Sequence, residues 1–151
     1  MKRIYVNEKW CLGCHLCEYY CAFANSGKED MAKALKNVVI HPRIQIEEKN
    51  GVSFAVSCRH CEEPLCVKSC ITGALSVKDG LITVDKKKCV GCYTCILSCP
   101  YGAVMPAAEG GVIQKCELCT NNAGGEPACV RHCPNRAIVF EDRNQEGGTV
   151  A

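Results

Sequence analysis

Cys89-Val90-Gly91-Cys92-Tyr93-Thr94-Cys95-Ile96-Leu97-Ser98-Cys99-Pro100 decides the reading of this chain. Three cysteines stand at two-residue intervals, a fourth follows after three more residues, and proline comes next. Cys11, Cys14, Cys17 and Cys21 repeat that spacing, while Cys58, Cys61, Cys66, Cys70 and Cys116, Cys119, Cys129, Cys133 lengthen one interval. All sixteen cysteines of the 151-residue chain fall in these four runs. Disulfide frameworks, zinc sites and iron–sulfur clusters all use cysteine at such density. Disulfides suit secreted chains, and close neighbours rarely meet the bond geometry. A zinc ion needs only two C-x2-C pairs, which leaves the third cysteine and the x3 step unexplained. Three cysteines around one cubane, with a fourth that serves the neighbouring cluster and is followed by proline, is the iron–sulfur spacing. Proline follows the last cysteine in two runs, as Pro100 and Pro134. The spacing predicts four [4Fe–4S] clusters. Cys11-Leu12-Gly13-Cys14-His15 also matches the c-type haem attachment motif, but the first cluster needs both cysteines, and His15 reads as a loop residue.

Composition agrees with a core held by metal. Only nine residues are aromatic, and without cysteine the apolar share is roughly 37%, so clusters must do part of the work of an oily core. The net charge of +2 gives no case for nucleic-acid binding. No apolar run approaches the roughly 18 residues of a membrane span. Met1-Lys2-Arg3-Ile4-Tyr5 carries neither an apolar leader nor a twin-arginine pair, and a cytoplasmic location is expected. Each oxidised cubane with four thiolates adds two negative charges, so the loaded chain comes to about −6, and about −10 when fully reduced.

The flanks of the runs repeat as well. Ile4–Trp10 before the first run and Leu81–Lys88 before the third each read as a short strand and a polar turn. Ile71–Val77 and Pro134–Phe140 each read as a small residue and a strand after a fourth cysteine. Asn50-Gly51 and Asp79-Gly80 are hairpin signals. The expected fold class is α+β, with two pseudo-symmetric bacterial-ferredoxin-like modules of short hairpins and short helices. The inner module spans 44–108, and the outer, discontinuous one spans 1–43 and 109–151. Within the insertion 25–43, Glu29–Lys36 reads as two helical turns with Met31, Ala34 and Leu35 on one face, covering a cluster. Residues 120–127 read as a loop and 141–151 as a polar, glycine-rich tail.

The Asp79-Gly80 hairpin joins the second and third runs, leaving the first and fourth for each other. Under ligand exchange the first cluster takes Cys11, Cys14, Cys17 and Cys133, and the second takes Cys58, Cys61, Cys66 and Cys99. The third takes Cys89, Cys92, Cys95 and Cys70, and the fourth takes Cys116, Cys119, Cys129 and Cys21. Sequential pairing, first with second and third with fourth, is the alternative.

The order of runs resembles the four-cluster iron–sulfur subunits of the dimethyl sulfoxide reductase family of oxidoreductases. Cys58-Arg59-His60-Cys61-Glu62-Glu63-Pro64-Leu65-Cys66-Val67-Lys68-Ser69-Cys70-Ile71-Thr72-Gly73-Ala74 is similar to that family's second motif, and Lys115-Cys116-Glu117-Leu118-Cys119 to the start of its fourth. The resemblance covers about residues 4–140 and also implies the first-with-fourth pairing. Some family members replace one third-run cysteine and hold a three-iron cluster; here every position is cysteine. Cys11–Glu18 and the small size resemble the subunits encoded with nickel carbon monoxide dehydrogenase. Similar small subunits serve tungsten aldehyde oxidoreductases, hydrogenases and formate dehydrogenases.

Cubanes with four cysteine ligands have no open coordination position but accept and release single electrons. The expected function is therefore a non-catalytic subunit. It would relay electrons through four clusters between a catalytic oxidoreductase subunit and a second redox protein or carrier. Carbon monoxide dehydrogenase is the first expectation for the catalytic subunit, and aldehyde oxidoreductase is next. An iron–sulfur redox sensor is the distant alternative, since no residues remain for an effector domain. No G-x-G-x-x-G fingerprint is present. His15, His60 and His132 adjoin cysteines and either donate to sulfur or fill the loop, and His41-Pro42 reads as a turn. Lys86-Lys87-Lys88 reads as a solvated turn.

Overall fold

Four two-stranded antiparallel ribbons and five short helices hold the cysteine runs in a computed structural model that describes residues 1–121 and 125–143. Asn122, Ala123 and Gly124 of the expected 120–127 loop, and residues 144–151 of the expected tail, lie outside the described residues. Strand β1 (Arg3–Val6) pairs with β8 (Ile138–Glu141), Arg3 opposite Glu141 and Val6 opposite Ile138. The other three ribbons are local hairpins: β2 (Ile44–Lys49) with β3 (Val52–Ser57), β4 (Leu75–Lys78) with β5 (Leu81–Val84), and β6 (Val104–Pro106) with β7 (Ile113–Lys115). Asn50-Gly51 and Asp79-Gly80 turn the first two of these. Both residues of each pair take positive φ, at 52° and 77° and at 50° and 81°, the turn whose twist matches the flanking strands.

Both strands expected after a fourth cysteine begin several residues late, at Leu75 and Ile138. The chain first makes a tight turn: the N–H of Gly73 donates to the Cys70 carbonyl and that of Arg136 to the Cys133 carbonyl. Only then can it extend.

The x3 step places two cysteines four residues apart. That is one turn of helix, with both side chains on one face. Helix α1 (Leu16–Ala24) carries Cys17 and Cys21 in this way. Shorter helices α3 (Leu65–Lys68), α4 (Thr94–Ser98) and α5 (Ala128–Arg131) begin the same step at Cys66, Cys95 and Cys129 and reach Cys70, Cys99 and Cys133 just beyond their ends. Helix α1 packs on α5 and α3 on α4. The helix expected at Glu29–Lys36 is α2 (Met31–Leu35). Asp30 caps it by accepting from the Lys33 N–H at 3.2 Å, and Ala34 is its buried residue. It packs on α1.

The halves follow one plan. β1 precedes the first run and pairs with β8 after the fourth; β5 precedes the third run and pairs with β4 after the second. Asn7 donates its N–H to the Ala137 carbonyl and Asp85 donates its N–H to the Ala74 carbonyl, each at 2.8 Å. One core gathers Ile4, Ile44, Ala55, Ala103, Leu118 and Ile138 with Cys17, Cys21, Cys58, Cys116 and Cys129. The other gathers Leu75, Ile82, Val104 and Ile113 with Cys66 and Cys95. The β2–β3 hairpin packs with α1 and β1, and β7 pairs with β6 and leans on β5. Ser57, at the end of β3, and Lys115, at the end of β7, stand at the seam between these two groups of elements. Among the described residues no helix is long and apolar enough to cross a membrane.

Candidate metal centres

Each C-x2-C loop bends back at its third residue, which takes left-handed backbone in all four runs: Gly13 (φ 62°), His60 (48°), Gly91 (67°) and Leu118 (56°). The bend turns the two thiols inward together. At Gly91 a side chain is excluded outright, because a Cβ there would stand 2.5 Å from the Gly111 carbonyl oxygen. The next helix starts in two ways. After the C-x2-C-x2-C runs it opens from a left-handed residue, His15 or Tyr93; after the longer runs it opens from a proline, Pro64 or Pro127.

Hollows result at three of the sets. Cys11, Cys14, Cys17 and Cys133 line one. Cys70, Cys89, Cys92 and Cys95 line another, and Cys21, Cys116, Cys119 and Cys129 a third. The remaining four thiols are neighbours as well: Cys58 repels charge on Cys61, and Cys66 feels both Cys58 and Cys99. Neighbouring sets share a core, since Cys17, Cys58, Cys116 and Cys129 are buried together. All sixteen are free thiols. Among the described residues no three Cys, His, Asp or Glu side chains converge on a point that a single ion could fill. The sulfurs ring hollows instead.

Burial dominates the electrostatics. It pushes the Cys17 thiol up to about 12, with Glu18 adding to the effect, and the Cys116 thiol up to about 12. Cys66 is pushed up to about 11, and Cys129 is raised well above its ordinary value. At the surface the direction reverses: the Thr94 hydroxyl donates to Cys92 Sγ at 3.5 Å and lowers that thiol. Buried thiols become ligands only as thiolates, so a cationic core must offset the burial. Backbone N–H groups already point at sulfur, from Arg43 to Cys21 at 3.3 Å and from Leu118 to Cys116 at 3.4 Å.

Among the described residues the buried polar side-chain atoms without a partner are Arg3 Nε, Arg43 Nε and His60 Nε2, and the last two lie beside these sets. His60 is fully buried between Cys58 and Cys61, and its Nδ1 accepts the Ile82 N–H at 3.0 Å. Burial, with Lys115 and Arg3 nearby, pushes its pKa down to about 3. The ring is therefore neutral, with its proton on Nε2, and Nε2 has no protein partner. Arg43 Nε is likewise buried without a partner. Sulfur-ringed hollows, thiols that need a cation and a donor without a protein acceptor all fit cubane clusters, whose sulfides accept hydrogen bonds.

The other histidines serve the scaffold. His15 Nδ1 is 2.6 Å from Glu18 Oε2 and opens α1. The His132 ring stacks on Tyr20 at 3.6 Å, and its Nδ1–H donates to the Ala128 carbonyl at 3.0 Å. His41 accepts from Gln114 Nε2 through its carbonyl. Lys86 pairs with Glu109 at 3.2 Å on the surface. Two residues beside the fourth run carry roles that the spacing of cysteines did not reveal. Glu117 accepts the Val84 N–H at 2.8 Å and pairs with Arg43 at 3.5 Å, tying β5 and the first-run side to the fourth run. Lys115 is buried at the seam. Charged residues next to a C-x2-C pair in a chain with so little apolar core were the available signal.

The 4Fe-4S dicluster domain family matches residues 50–143. An iron–sulfur protein of Rhodospirillum rubrum is 36% identical over 92% of this chain and 81% of its own length. The electron transport protein HydN of Escherichia coli K12 is 34% identical (89% of this chain, 85% of its own), and the probable anaerobic dimethyl sulfoxide reductase chain YnfG of the same strain is 35% identical (97% and 78%). Among solved structures, the active-site complex BamBC of benzoyl coenzyme A reductase with zinc is similar in fold, with a TM-score of 0.51 and 20% identity over 98% of this chain and 82% of that chain. With those likenesses spanning nearly the whole of its length, the chain belongs to the 4Fe-4S dicluster domain family and is an electron-transfer iron–sulfur protein that holds 4Fe-4S clusters.

Proposed function

We propose that the sixteen cysteines hold four [4Fe–4S] clusters in a row and that the chain is a non-catalytic electron relay. The ligand sets are Cys11, Cys14, Cys17, Cys133; Cys58, Cys61, Cys66, Cys99; Cys89, Cys92, Cys95, Cys70; and Cys116, Cys119, Cys129, Cys21. When bound, each cluster supplies a one-electron site with no free coordination position. The observation that carries the reading is the pair of cysteines one turn apart on a single helix, each facing a different hollow. Helix α1 joins the first and fourth sets, and Cys66 with Cys70 joins the second and third. Cys116 beside Cys58 joins the two halves. The row therefore runs first, fourth, second, third. Its two modules are Cys58–Lys115 and the residues that flank that segment.

Only the end sets expose a ligand, Cys14 and Cys92. Electrons would enter at one end and leave at the other. The likeness to a dimethyl sulfoxide reductase chain supports a catalytic oxidoreductase subunit as one partner, with a second redox protein or carrier opposite. Within that class, the Cys11–Glu18 resemblance favours a nickel carbon monoxide dehydrogenase in the cytoplasm.

Anaerobic reconstitution with iron and sulfide counting tests the core of the proposal. About sixteen irons per chain and stepwise one-electron reduction are expected, and about eight would leave only one module loaded and refute it. Replacing Cys21 by Ser should disturb the fourth cluster and spare the first, and the reverse would refute the pairing. Turnover of carbon monoxide by the chain alone would overturn the non-catalytic reading. Anaerobic co-purification identifies the partner.

A further inference from the structure

Lys115, at the end of β7, is 1% exposed. Its Nζ donates to the Ile82 carbonyl at 2.5 Å and to the Cys116 carbonyl at 2.7 Å. Cys58 and Cys116 share one buried core beside it. No carboxylate among the described residues pairs with it. The neighbouring acid, Glu117, is already engaged by the Val84 N–H and Arg43. An ammonium taken from water without a counter-ion is strongly unfavourable, so the balancing charge must come from something else at the site. The anions within reach are the thiolates of the second and fourth sets: Lys115 precedes Cys116 and holds its carbonyl, and it also holds the carbonyl of Ile82, whose N–H donates to His60 between Cys58 and Cys61.

Ile82 holds this arrangement together. Its N–H is fixed by His60 and its carbonyl by Lys115, so one residue of β5 orients a neutral donor and a cation at the same seam. The cation is therefore placed by backbone on one side and by Cys116's own carbonyl on the other. Arg43 differs, because Glu117 offsets much of its charge.

We propose that Lys115 is a fixed cation shared by the two middle clusters, raising both of their reduction potentials above those of the end clusters, so that an electron on the row rests in the middle. Adding one electron to either middle cluster adds one negative charge beside a positive one held in place by two carbonyls. The inference rests on the four-cluster reading, and iron counting tests that reading separately.

The test is an anaerobic redox titration of the reconstituted full chain, followed by electron paramagnetic resonance, for the parent, Lys115→Met, Lys115→Gln and Lys115→Arg. Iron and sulfide are counted first; a parent below about sixteen irons removes the four-cluster reading and this inference with it. In fully loaded Met and Gln variants two clusters should become at least tenfold harder to reduce, 59 mV lower for one electron, and the other two should move less than threefold. Arg should track the parent. Full loading with all four potentials unchanged, or all four lowered equally, overturns the proposal. Should neither neutral variant keep its iron, the parent decides. A soluble dysprosium chelate speeds relaxation of centres near the surface. First-reduced signals that it leaves untouched support the proposal, and first-reduced signals that it strongly relaxes overturn it.

Discussion

In the proposed row, the middle and the ends are built from the same loop and differ in what fills its third position. At the ends that position is Gly13 or Gly91, and the next cysteine, Cys14 or Cys92, is exposed. In the middle it is His60 or Leu118, both buried, and no cysteine of either middle set is exposed. Left-handed backbone is costly for a residue with a Cβ, yet the middle loops accept it. Glycine keeps sulfur near solvent and leaves room for another chain to approach. A buried side chain in the same place shuts water out and gives the sulfur a fixed neighbour. Burial was thus chosen residue by residue at one position of a repeated loop.

The largest effect that could break this contrast comes from removing a ligand on each side of it. Cys129 is buried in the larger core, where five of the eleven buried members are cysteines. Cys129→Ala should lose one cluster, about a quarter of the iron, and take the packing of α5 on α1 with it, because cluster binding and folding are coupled. Cys14→Ala should lose a similar amount of iron while the rest of the chain stays resistant to protease. Iron counts and limited proteolysis on the same samples read both. Equal protease sensitivity in the two variants would mean that the middle is no more dependent on its cluster than the end.

A smaller effect separates the two ends. Gly91→Ala forces a Cβ to 2.5 Å from a backbone carbonyl, while at Gly13 the nearest atoms are the side-chain oxygens of Glu48 and Ser53 at 2.8 Å, which can swing away. Both substitutions carry left-handed strain of about 1–3 kcal/mol. Gly91→Ala should therefore cost clearly more than Gly13→Ala in chemical denaturation of the loaded protein. The comparison shows whether close backbone approach, rather than φ alone, fixes glycine at the third-run end.

Much of this plan was legible in the sequence. Cysteine spacing marked every cysteine loop, and Asn50-Gly51 and Asp79-Gly80 marked two hairpins, because these signals are local. The seam was not legible. Whether β2 and β3 pack with α1 or with the second run depends on contacts such as the Ile46 N–H, which donates to Glu18 Oε1 at 2.7 Å across 28 residues. The burial of Lys115 was hidden for the same reason: its acceptor, the Ile82 carbonyl, lies 33 residues away. Lysine is ordinarily a surface residue, and its place next to Cys116 was the one local sign that it is an exception.

A modest effect probes the link across that seam. Glu117→Gln keeps an oxygen for the Val84 N–H and removes the charge that faces Arg43. A loss of about 1 kcal/mol is expected, with all iron retained. Denaturation of the loaded protein measures it, and a loss of iron from the fourth set would instead assign Glu117 a part in holding that cluster.

The smallest expected effect on stability is the one that best tests the ends as docking faces. Leu97 is 89% exposed beside the third set, and Leu12 is 67% exposed beside the first. Neither packs in a core, so Leu97→Glu and Leu12→Glu should each change stability by less than about 0.5 kcal/mol. Electron entry and exit depend instead on how closely a partner can seat against an end, and the loaded chain is already acidic. A new carboxylate at that spot therefore weakens contact with an apolar or acidic partner face. Leu97→Glu should slow exchange with the partner at the third-set end and leave the other exchange intact, and Leu12→Glu should do the reverse. Stopped-flow reduction of the loaded protein by each co-purified partner reads the two separately. Slowing of both exchanges by either single substitution would mean that one face serves both partners, and the row would then be a store filled and emptied from one side.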